Sequence, residues 1–393
     1  MINRAPAGRM YLDHNATTPI DPHVIAAMEP YLREWFGNPS SIEHEDGRIA
    51  ALAVDQAREK VAAAIGARAS EIIFTGSCTE ANNLAVLGVA RAHPEKRHIV
   101  VSRVEHPAVL GPARALESEG WRVTYLAVDE AGRISPAAVA AALTDQTALV
   151  SVMAANNEVG TLQPFREIGA CCAARGVLFH SDLAQILAYG DVDVQRDNIH
   201  LASMSGHKAY GPKGIGALYV RSRGPRARVA PTLFGGGQER GLRPGTLNTA
   251  AIVGFGAAVA LAKRTAAAEG ARLRAACGIF RDGLLSAVPG ARLNGHPHER
   301  LANNLSFSIE GVEPLALIRH LRERLSFSAS SACATDKIET SHVLVAMFGN
   351  TARAREAFRI APGRFTTAAE LSEALELIVG GVAHLRNAAR TAA

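Results

Sequence analysis

The chain has 393 residues, of which 48% are hydrophobic and 20% are charged, and this balance excludes a disordered protein and allows two folded domains. The 42 basic and 37 acidic residues leave a formal net charge of +5; because neither sign forms a long run, this charge does not indicate nucleic-acid binding. The five cysteines lack CxxC or Cys/His spacing, so we predict no metal site and expect a reducing cytoplasm.

The sequence contains neither a signal peptide nor an apolar stretch long enough to span a membrane. The N-terminal stretch MINRAPAGRMYLDHNATT lacks the apolar core of a signal peptide. The apolar stretch AAIVGFGAAVALAK is too short to span a bilayer, which requires about 20 residues, and is typical of a buried helix. We therefore expect neither secretion nor membrane insertion.

Helical and strand patterns alternate from about residue 50 to about residue 220. The first helical stretch is AALAVDQAREKVAAAIGA, the next TEANNLAVLGVARA, and the strand patterns include EIIFTG, HIVVS, RVTYLAV, ALVSVMAA, VLFHSDLA, LASMSGH and GIGALYVR. This alternation predicts an α/β fold with a mostly parallel sheet covered on both faces. In such sheets, ligands bind beyond the carboxyl ends of the strands, where FTGSCTEANN, VSRVEHP and FHSDLAQ place polar residues.

The second half of the chain has a different pattern. A Gly-, Pro- and Arg-rich stretch occupies residues 222–246, and a long alanine-rich helix is predicted from about 248 to 288. The remaining strands and helices are shorter, so we predict a second, smaller α+β domain joined to the first by the long helix.

Lys208 is the strongest local signal for chemistry. It lies in SMSGHKAYGPKGIGALYV, after a short strand and before a glycine-rich turn. Burial lowers the pKa of a lysine, and a neutral amine forms a Schiff base with an aldehyde. Neighbouring Ser205, Gly206 and His207 supply donors for a phosphate. A surface lysine in a turn is the alternative interpretation.

Asp182 ends a predicted buried strand in FHSDLAQ, and Gln185 lies three positions later. Such an acid is either a helix N-cap or a functional carboxylate. A carboxylate facing the pyridine nitrogen of pyridoxal phosphate keeps that nitrogen protonated and makes the ring an electron acceptor. Together with Lys208, Asp182 therefore favours a pyridoxal-phosphate site.

These residues and motifs along nearly the whole chain resemble the cysteine desulfurases of the NifS/IscS type. The matching stretches are YLDHNATTPIDPHV, FGNPSS, TEANNLA, VEHPAVL, NNEVGTLQP, SGHK, GGGQERGLRPGTLN, SSACA, SHVL and FRIAPGRFTT. The resemblance implies a fold type I transferase of the class-V aminotransferase superfamily. It also implies a large cofactor domain over residues 16–262 and a small domain formed by residues 1–15 and 263–393.

The resemblance implies a role for each matching residue. Lys208 would bind pyridoxal 5'-phosphate covalently, Asp182 would face the pyridine nitrogen, and Gln185 would bond the phenolic oxygen. His106 would stack on the ring; a histidine at a strand end on the surface is the alternative. The phosphate would be held by Thr79, Ser205 and His207, and by Thr246 of the neighbouring subunit, which implies a homodimer. The substrate carboxylate would be held by Asn157 and Arg359.

Cys333, in LSFSASSACATDK, would be the sulfur-accepting nucleophile. The resemblance implies that its thiolate attacks the sulfur of L-cysteine, leaving alanine and a persulfide that passes to an acceptor such as an iron–sulfur scaffold protein or a thiolation pathway. Ala334, Asp336 and Lys337 depart from the family pattern in this loop. We expect Cys78, Cys171, Cys172 and Cys277 to be small packing residues.

Three other functions remain open from the sequence. A selenocysteine lyase would use the same cofactor site. An ordinary aminotransferase would use Lys208 and Asp182 without needing Cys333, and an inactive scaffold for sulfur-transfer partners would need neither. We expect no membrane partner and no direct binding of nucleic acid.

Overall fold

The computed structural model describes residues 4–5, 8–329 and 340–392. Cys333, Ala334, Asp336 and Lys337 lie outside the described residues. The helices are α1 Pro22–Arg33, α2 Glu45–Ala64, α3 Cys78–Ala92, α4 Pro107–Ser118, α5 Pro136–Ala142, α6 Phe165–Ala174, α7 Thr249–Ala287, α8 Pro314–Leu321, α9 His342–Phe348, α10 Ala352–Arg355 and α11 Ala368–Ala392. The strands are β1 Arg4–Ala5, β2 Arg9–Tyr11, β3 Ile72–Thr75, β4 His98–Ser102, β5 Arg122–Leu126, β6 Thr147–Ser151, β7 Leu178–Asp182, β8 Leu201–Ser205, β9 Gly216–Val220, β10 Ala291–Asn294, β11 Leu305–Ile309, β12 Leu325–Ser326, β13 Ser328–Ala329 and β14 Ala357–Ile360.

A seven-stranded sheet forms the centre of the larger part, in the order β3-β9-β8-β7-β6-β4-β5. The pairs from β8 to β5 are parallel, whereas β9 is antiparallel to both β8 and β3. Since β3 and β8 both run opposite to β9, β3 has the same direction as the parallel strands. This confirms the predicted mostly parallel α/β fold, and it brings the carboxyl ends of β3, β8, β7, β6 and β4 to one edge.

Both faces of this sheet are buried, because alternate residues of a strand point to opposite sides. In β4, Val100 packs on one side with residues of α2, α6 and the first half of α7, while Ile99 and Val101 pack on the other side with α3 and α4. This explains why five strands of this sheet, β3, β4, β6, β7 and β8, are buried along their whole length.

A separate hydrophobic core lies in the C-terminal part of the chain. It joins the second half of α7 to β11, β14, α8 and α11, and it includes Met10 and Leu12 from the N-terminal segment. The four-stranded sheet around it has the order β10-β11-β14-β13. The separate cores support the two predicted domains, whose boundaries at residues 16 and 262 stay a prediction.

The long helix α7 contributes to both cores. It spans 39 residues, close to the predicted range of 248 to 288. Among the described residues it is the one helix whose length and apolar composition suit a membrane span, but half of its most apolar window is buried within the fold. The apolar stretch in its first half is therefore a buried helix, as predicted.

Two helices near the N-terminus differ from the sequence-based prediction. No helix was predicted for α1, which begins at Pro22 with Asp21 as N-cap: the carboxylate accepts from the backbone N–H of His23 at 2.9 Å. Helix α2 begins five residues earlier than predicted because the Nδ1 atom of His44 accepts from the Gly47 N–H at 3.2 Å. An imidazole N-cap is uncommon, so the sequence rules did not find it.

The glycine-rich stretch before α7 is anchored by Glu239. Its carboxylate pairs with both terminal nitrogens of Arg58 on α2, at 2.6 and 2.7 Å, and accepts from the Phe74 N–H at 2.6 Å. The Glu239 side chain is 1% exposed, although its φ of +47° is unusual for a residue with a side chain. The ion pair therefore fixes a segment that the sequence alone describes as a loop.

We expect Glu239→Gln to lower the free energy of unfolding by about 3 kcal/mol, because it leaves a buried guanidinium without its counter-charge. Urea unfolding measures the change. The control is Glu45→Gln: the Glu45 pair with Arg48 is exposed on α2, so its loss should cost less than about 1 kcal/mol. Equal losses for the two variants would contradict this interpretation.

Candidate active site

A cavity of about 240 Å³ lies where the carboxyl ends of the strands meet. Its lining brings together eight of the predicted site residues: Thr79, His106, Asn157, Asp182, Gln185, Ser205, His207 and Lys208. These residues lie at or after the carboxyl ends of β3, β4, β6, β7 and β8, and they are separated by up to 129 positions in the sequence. The strand direction therefore assembles the candidate site.

Lys208 enters the cavity from the turn after β8. Its Nζ atom donates to the backbone carbonyl of Asn15 at 2.9 Å. Burial lowers its pKa, as does the nearby positive charge of Arg359, and the carboxylates of Asp182 and Asp13 oppose this change. Lys208 is thus a buried amine with weakened basicity, the condition for nucleophilic attack on an aldehyde.

The turn after Lys208 is held in an unusual backbone conformation. Tyr210 has a φ of +64°, and its N–H donates to the Thr18 hydroxyl at 2.9 Å. Its ring lies 4.4 Å from the Arg364 guanidinium carbon and is fully buried. These contacts offset the strain and fix the direction in which Lys208 enters the cavity.

Asp182 ends β7, and both of its carboxylate oxygens accept hydrogen bonds. Oδ1 accepts from the Ala184 N–H at 2.8 Å, and Oδ2 accepts from the Asn82 side-chain amide at 2.8 Å. Asn82 lies on α3 and is fully buried. The carboxylate is therefore oriented by two independent donors while it faces the cavity.

Cys78 also lines the cavity, with its Sγ atom 3.5 Å from Asp182 Oδ1. Burial and the Asp182 charge raise the pKa of this thiol well above its ordinary value, so it remains protonated and donates to the carboxylate. Cys78, which the sequence predicts to be a small packing residue, thus also contacts the Asp182 carboxylate. Cys172 and Cys277 lie in the hydrophobic cores, and Cys171 packs against one of them, as expected.

His106 follows β4 and is the N-cap of α4. Its Nδ1 atom accepts from the Ala108 N–H at 3.1 Å. Burial lowers its pKa, so the ring is neutral with its proton on Nε2. A neutral ring is therefore presented to the cavity.

Glu105, which precedes His106, is fully buried, and burial raises its pKa well above the ordinary value. Its Oε1 atom accepts from the Met153 N–H at 2.8 Å.

The end of the cavity at the start of α3 suits an anion. Helix α3 begins there, with Ser77 as N-cap and Thr79 in the first turn. Gly216 allows this approach, since a Cβ atom at that position would lie 2.9 Å from the backbone nitrogen of Cys78. Ser205 adds a hydroxyl group, and His207 adds an imidazole ring. Burial lowers the pKa of His207 to about 4, and its Nδ1 atom lies 3.0 Å from the Thr17 hydroxyl.

Gln185 and Asn15 form a reciprocal pair beside the cavity. The Gln185 amide donates to the Asn15 carbonyl at 3.0 Å, and the Asn15 amide donates to Gln185 Oε1 at 3.0 Å. Asn15 thus holds both Lys208 and Gln185. No role for Asn15 followed from the sequence, although it lies in the matching stretch YLDHNATT.

Arg359 lies on β14, just behind the cavity lining. Its Nη1 atom donates to the backbone carbonyl of Asn157 at 2.8 Å, and Nη2 donates to Asp13 Oδ1 at 2.6 Å. The Asn157 side chain faces the cavity and has no hydrogen-bond partner among the described residues. The structure therefore brings the two predicted carboxylate ligands together.

Thr246 differs from the other predicted residues. It is exposed in the segment before α7 and is absent from the lining of this chain's own cavity. Cys333 lies outside the described residues, but both flanks of residues 330–339 lie close to the site. Ser328 donates to Asp13 Oδ2 at 2.7 Å, and Ser341, the N-cap of α9, donates to Glu158.

A larger open groove of about 570 Å³ lies between α6, α7 and residues 299–302. It contains none of the predicted site residues. Arg166 and Lys263 on its walls pair with Asp191, at 3.4 and 3.8 Å. The smaller cavity, which holds the reactive groups, is therefore the candidate active site.

The residues of the smaller cavity fit pyridoxal phosphate. The oriented carboxylate suits the pyridine nitrogen, and the buried lysine of lowered pKa suits the aldehyde. The neutral imidazole suits the ring, and the cluster of anion donors at a helix N-terminus suits the phosphate. The buried Oδ1 atom of Asn82 also has no partner among the described residues.

A family model described as "Aminotransferase class-V" matches residues 10–372. The chain therefore belongs to the class-V aminotransferase family, and like other members it depends on pyridoxal phosphate. "Cysteine desulfurase IscS" of Rickettsia bellii is 45% identical over 379 residues, which cover 96% of this chain and 92% of the relative. Within the family, the chain thus belongs with the cysteine desulfurases of the IscS and NifS type.

Solved structures agree with this assignment. One named "NIFS-LIKE PROTEIN" has a TM-score of 0.89 and 33% identity, and the match covers 96% of this chain and 100% of that one. Another, "SspA in complex with cysteine", has a TM-score of 0.79 and 36% identity, with coverage of 91% and 99%. The fold predicted from the resemblance is therefore confirmed.

We expect Asn82→Ala to weaken the binding of pyridoxal phosphate about tenfold, because Asp182 Oδ2 loses a buried hydrogen bond to a charged group. Titration of the apoenzyme with the cofactor, followed by absorbance, measures the dissociation constant. Asn83→Ala is the matched control, since the neighbouring amide donates only to the Thr79 carbonyl. Equal affinities for Asn82→Ala and Asn83→Ala would remove this role from Asn82.

Proposed function

We propose that this enzyme removes the sulfur of L-cysteine, releases L-alanine, and holds the sulfur as a persulfide on Cys333 before passing it to an acceptor. The observation that carries the proposal is the cavity that combines Lys208, Asp182 and His106 beside Arg359, in a chain 45% identical to a cysteine desulfurase.

Substrate binding follows from the charges around the cavity. The L-cysteine carboxylate is held by the Arg359 guanidinium and the free side-chain amide of Asn157. His106 covers the cofactor ring, and Thr79, Ser205 and His207 hold the phosphate. Bound pyridoxal phosphate supplies an electron sink for the substrate α-carbon. The Lys208 amine would take the α-proton of the substrate, a task suited to an amine of lowered pKa.

The sulfur step involves two sulfur atoms. The Cys333 thiolate attacks the sulfur of the substrate, so that an S–S bond forms while the Cβ–S bond breaks. The electron pair of the broken bond stays with the carbon skeleton, which takes up protons and leaves as L-alanine. The net products are alanine and a persulfide on Cys333, and no external oxidant is consumed.

The sulfur acceptor is a protein, either an iron–sulfur scaffold or a component of thio-cofactor or tRNA thiolation. We place the enzyme in the cytoplasm, because the cysteines among the described residues are all free thiols. No group of His, Cys, Asp and Glu side chains among the described residues suits a metal ion.

We expect Cys333→Ser to lower sulfide release from L-cysteine at least about a hundredfold, because a hydroxyl cannot accept the sulfur as a persulfide. Sulfide and alanine are measured in the presence of a reductant. The variant should still bind L-cysteine and change the cofactor absorbance. An aminotransferase, the alternative reaction, would keep its transamination rate in this variant.

Borohydride reduction supplies the control for the cofactor site. Reduction of the holoenzyme should attach the cofactor irreversibly to Lys208, as peptide mapping would show. Absence of this label, together with absence of cofactor absorbance, would support an inactive scaffold instead. Parallel assays with L-selenocysteine on the Cys333→Ser variant test for selenocysteine lyase activity.

We also propose that the enzyme is a homodimer with shared sites. The exposed Thr246 does not reach the cavity of its own chain, so a phosphate contact from this residue requires a second copy. A group of large apolar side chains is also exposed on α1 and the segment after it: Ile25, Leu32, Trp35, Phe36 and Ile42. Exposed apolar groups of this kind indicate a protein interface.

Mixing two inactive variants tests the shared site. Thr246→Asp places a negative charge against the phosphate and so prevents its binding, and Lys208→Ala removes the cofactor lysine. In a mixed dimer one site has both defects and the other has neither, so equal mixing after exchange of subunits should restore about a quarter of the wild-type activity. If Thr246 served its own chain, the mixture would remain as inactive as its components.

A further inference from the structure

The strongest network outside the predicted residues centres on Asp13, which follows β2. Its Oδ1 atom accepts from Arg359 Nη2 at 2.6 Å. The Arg359 side chain is 8% exposed and that of Asp13 is 17% exposed, so water screens this ion pair only weakly. The sequence had given Asp13 no function.

The other oxygen of Asp13 is also held. Oδ2 accepts from the Ser328 hydroxyl at 2.7 Å, and Asp13 forms a backbone bridge to Ala361. Ser328 lies on β13 directly opposite Arg359 on β14. The carboxylate is thus fixed by one strand while it fixes a guanidinium on the next, which leaves it little freedom to rotate.

The Arg359 guanidinium has a definite set of free and occupied donors. Nη1 is bound to the Asn157 carbonyl and Nη2 to Asp13, whereas Nε is buried without a partner among the described residues. A buried unpaired N–H is costly, and a substrate carboxylate would satisfy it. Because Asp13 and the Asn157 carbonyl each accept from one Nη atom, the orientation of the guanidinium and of its remaining N–H groups is fixed before any ligand arrives.

A purely structural ion pair is the competing interpretation of Asp13. A second buried pair in the same chain provides the comparison: Asp21 Oδ2 accepts from Arg364 Nη1 at 2.8 Å, with side chains 5% and 9% exposed. Arg364 is also bound to Glu269, and none of these three residues lines the cavity. The Asp21 pair is therefore similar in burial and geometry, and it supports the turn at Tyr210 without contacting Arg359 or Asn157.

We propose that Asp13 is a positioning residue for substrate recognition, which orients the Arg359 guanidinium so that its free donor meets the α-carboxylate of L-cysteine. This inference rests on the proposed function of the enzyme. It predicts that loss of the Asp13 charge weakens the binding of amino acids that carry a free carboxylate and has little effect on the chemical steps.

The test compares Asp13→Asn with the matched control Asp21→Asn in the holoenzyme. We expect Asp13→Asn to raise KM for L-cysteine about tenfold, with kcat changed less than about threefold. The inhibition constant of L-alanine should rise by the same factor. That of L-alanine methyl ester, which lacks the charged carboxylate, should not change. Asp21→Asn should lower the thermal midpoint without altering either inhibition constant.

Each outcome bears on a different claim. Equal inhibition constants for L-alanine in the wild type and in a folded Asp13→Asn variant would overturn the role of Asp13. Equal weakening of L-alanine and its methyl ester would also overturn it, because the effect would then not depend on the carboxylate. Failure of the wild-type enzyme to release sulfide from L-cysteine would instead reject the proposed function. If Asp13→Asn does not fold, Ser328→Ala replaces it, and unchanged L-alanine binding in that folded variant would count against the proposal.

Discussion

The common direction of five strands is the constraint on which the site depends. Because β3, β4, β6, β7 and β8 all end at the same edge of the central sheet, residues from distant parts of the sequence surround one cavity. Strand β9 is antiparallel to both β8 and β3, so β3 has the same direction as β8 and the start of α3 lies at the same edge as Lys208.

Burial then determines the chemical state of the groups at that edge. It lowers the pKa values of Lys208, His106 and His207, and it raises that of the Cys78 thiol. The site thus contains neutral rings and a weakly basic lysine beside a carboxylate fixed by Asn82 and Ala184. Desolvation is the first cause of each of these shifts, so the closed environment matters more than any single charge.

The site also depends on contacts between the two hydrophobic cores. Arg359 belongs to the small sheet, yet it binds the Asn157 carbonyl beyond the end of β6. Asp13 follows a strand of the N-terminal segment and joins Arg359 to β13. The proposed substrate recognition would therefore use groups from both parts of the chain, because the fold brings an arginine far along the sequence close to the cavity that contains Lys208.

The sequence by itself determined the alternation of helices and strands, because hydrophobic periodicity is a local property of each segment. Through resemblance to a family, its motifs also predicted Lys208, Asp182, His106 and five more of the residues that line the cavity. It missed the N-cap of α2, where a ring nitrogen of His44 replaces the usual oxygen acceptor, and it interpreted the segment around Glu239 as a loop. Only the tertiary structure decided the strand order and the partners of Asn82, Cys78, Asn15 and Asp13. Those partners come from residues 100 or more positions away, and no local pattern encodes which of several polar side chains will meet across a cavity.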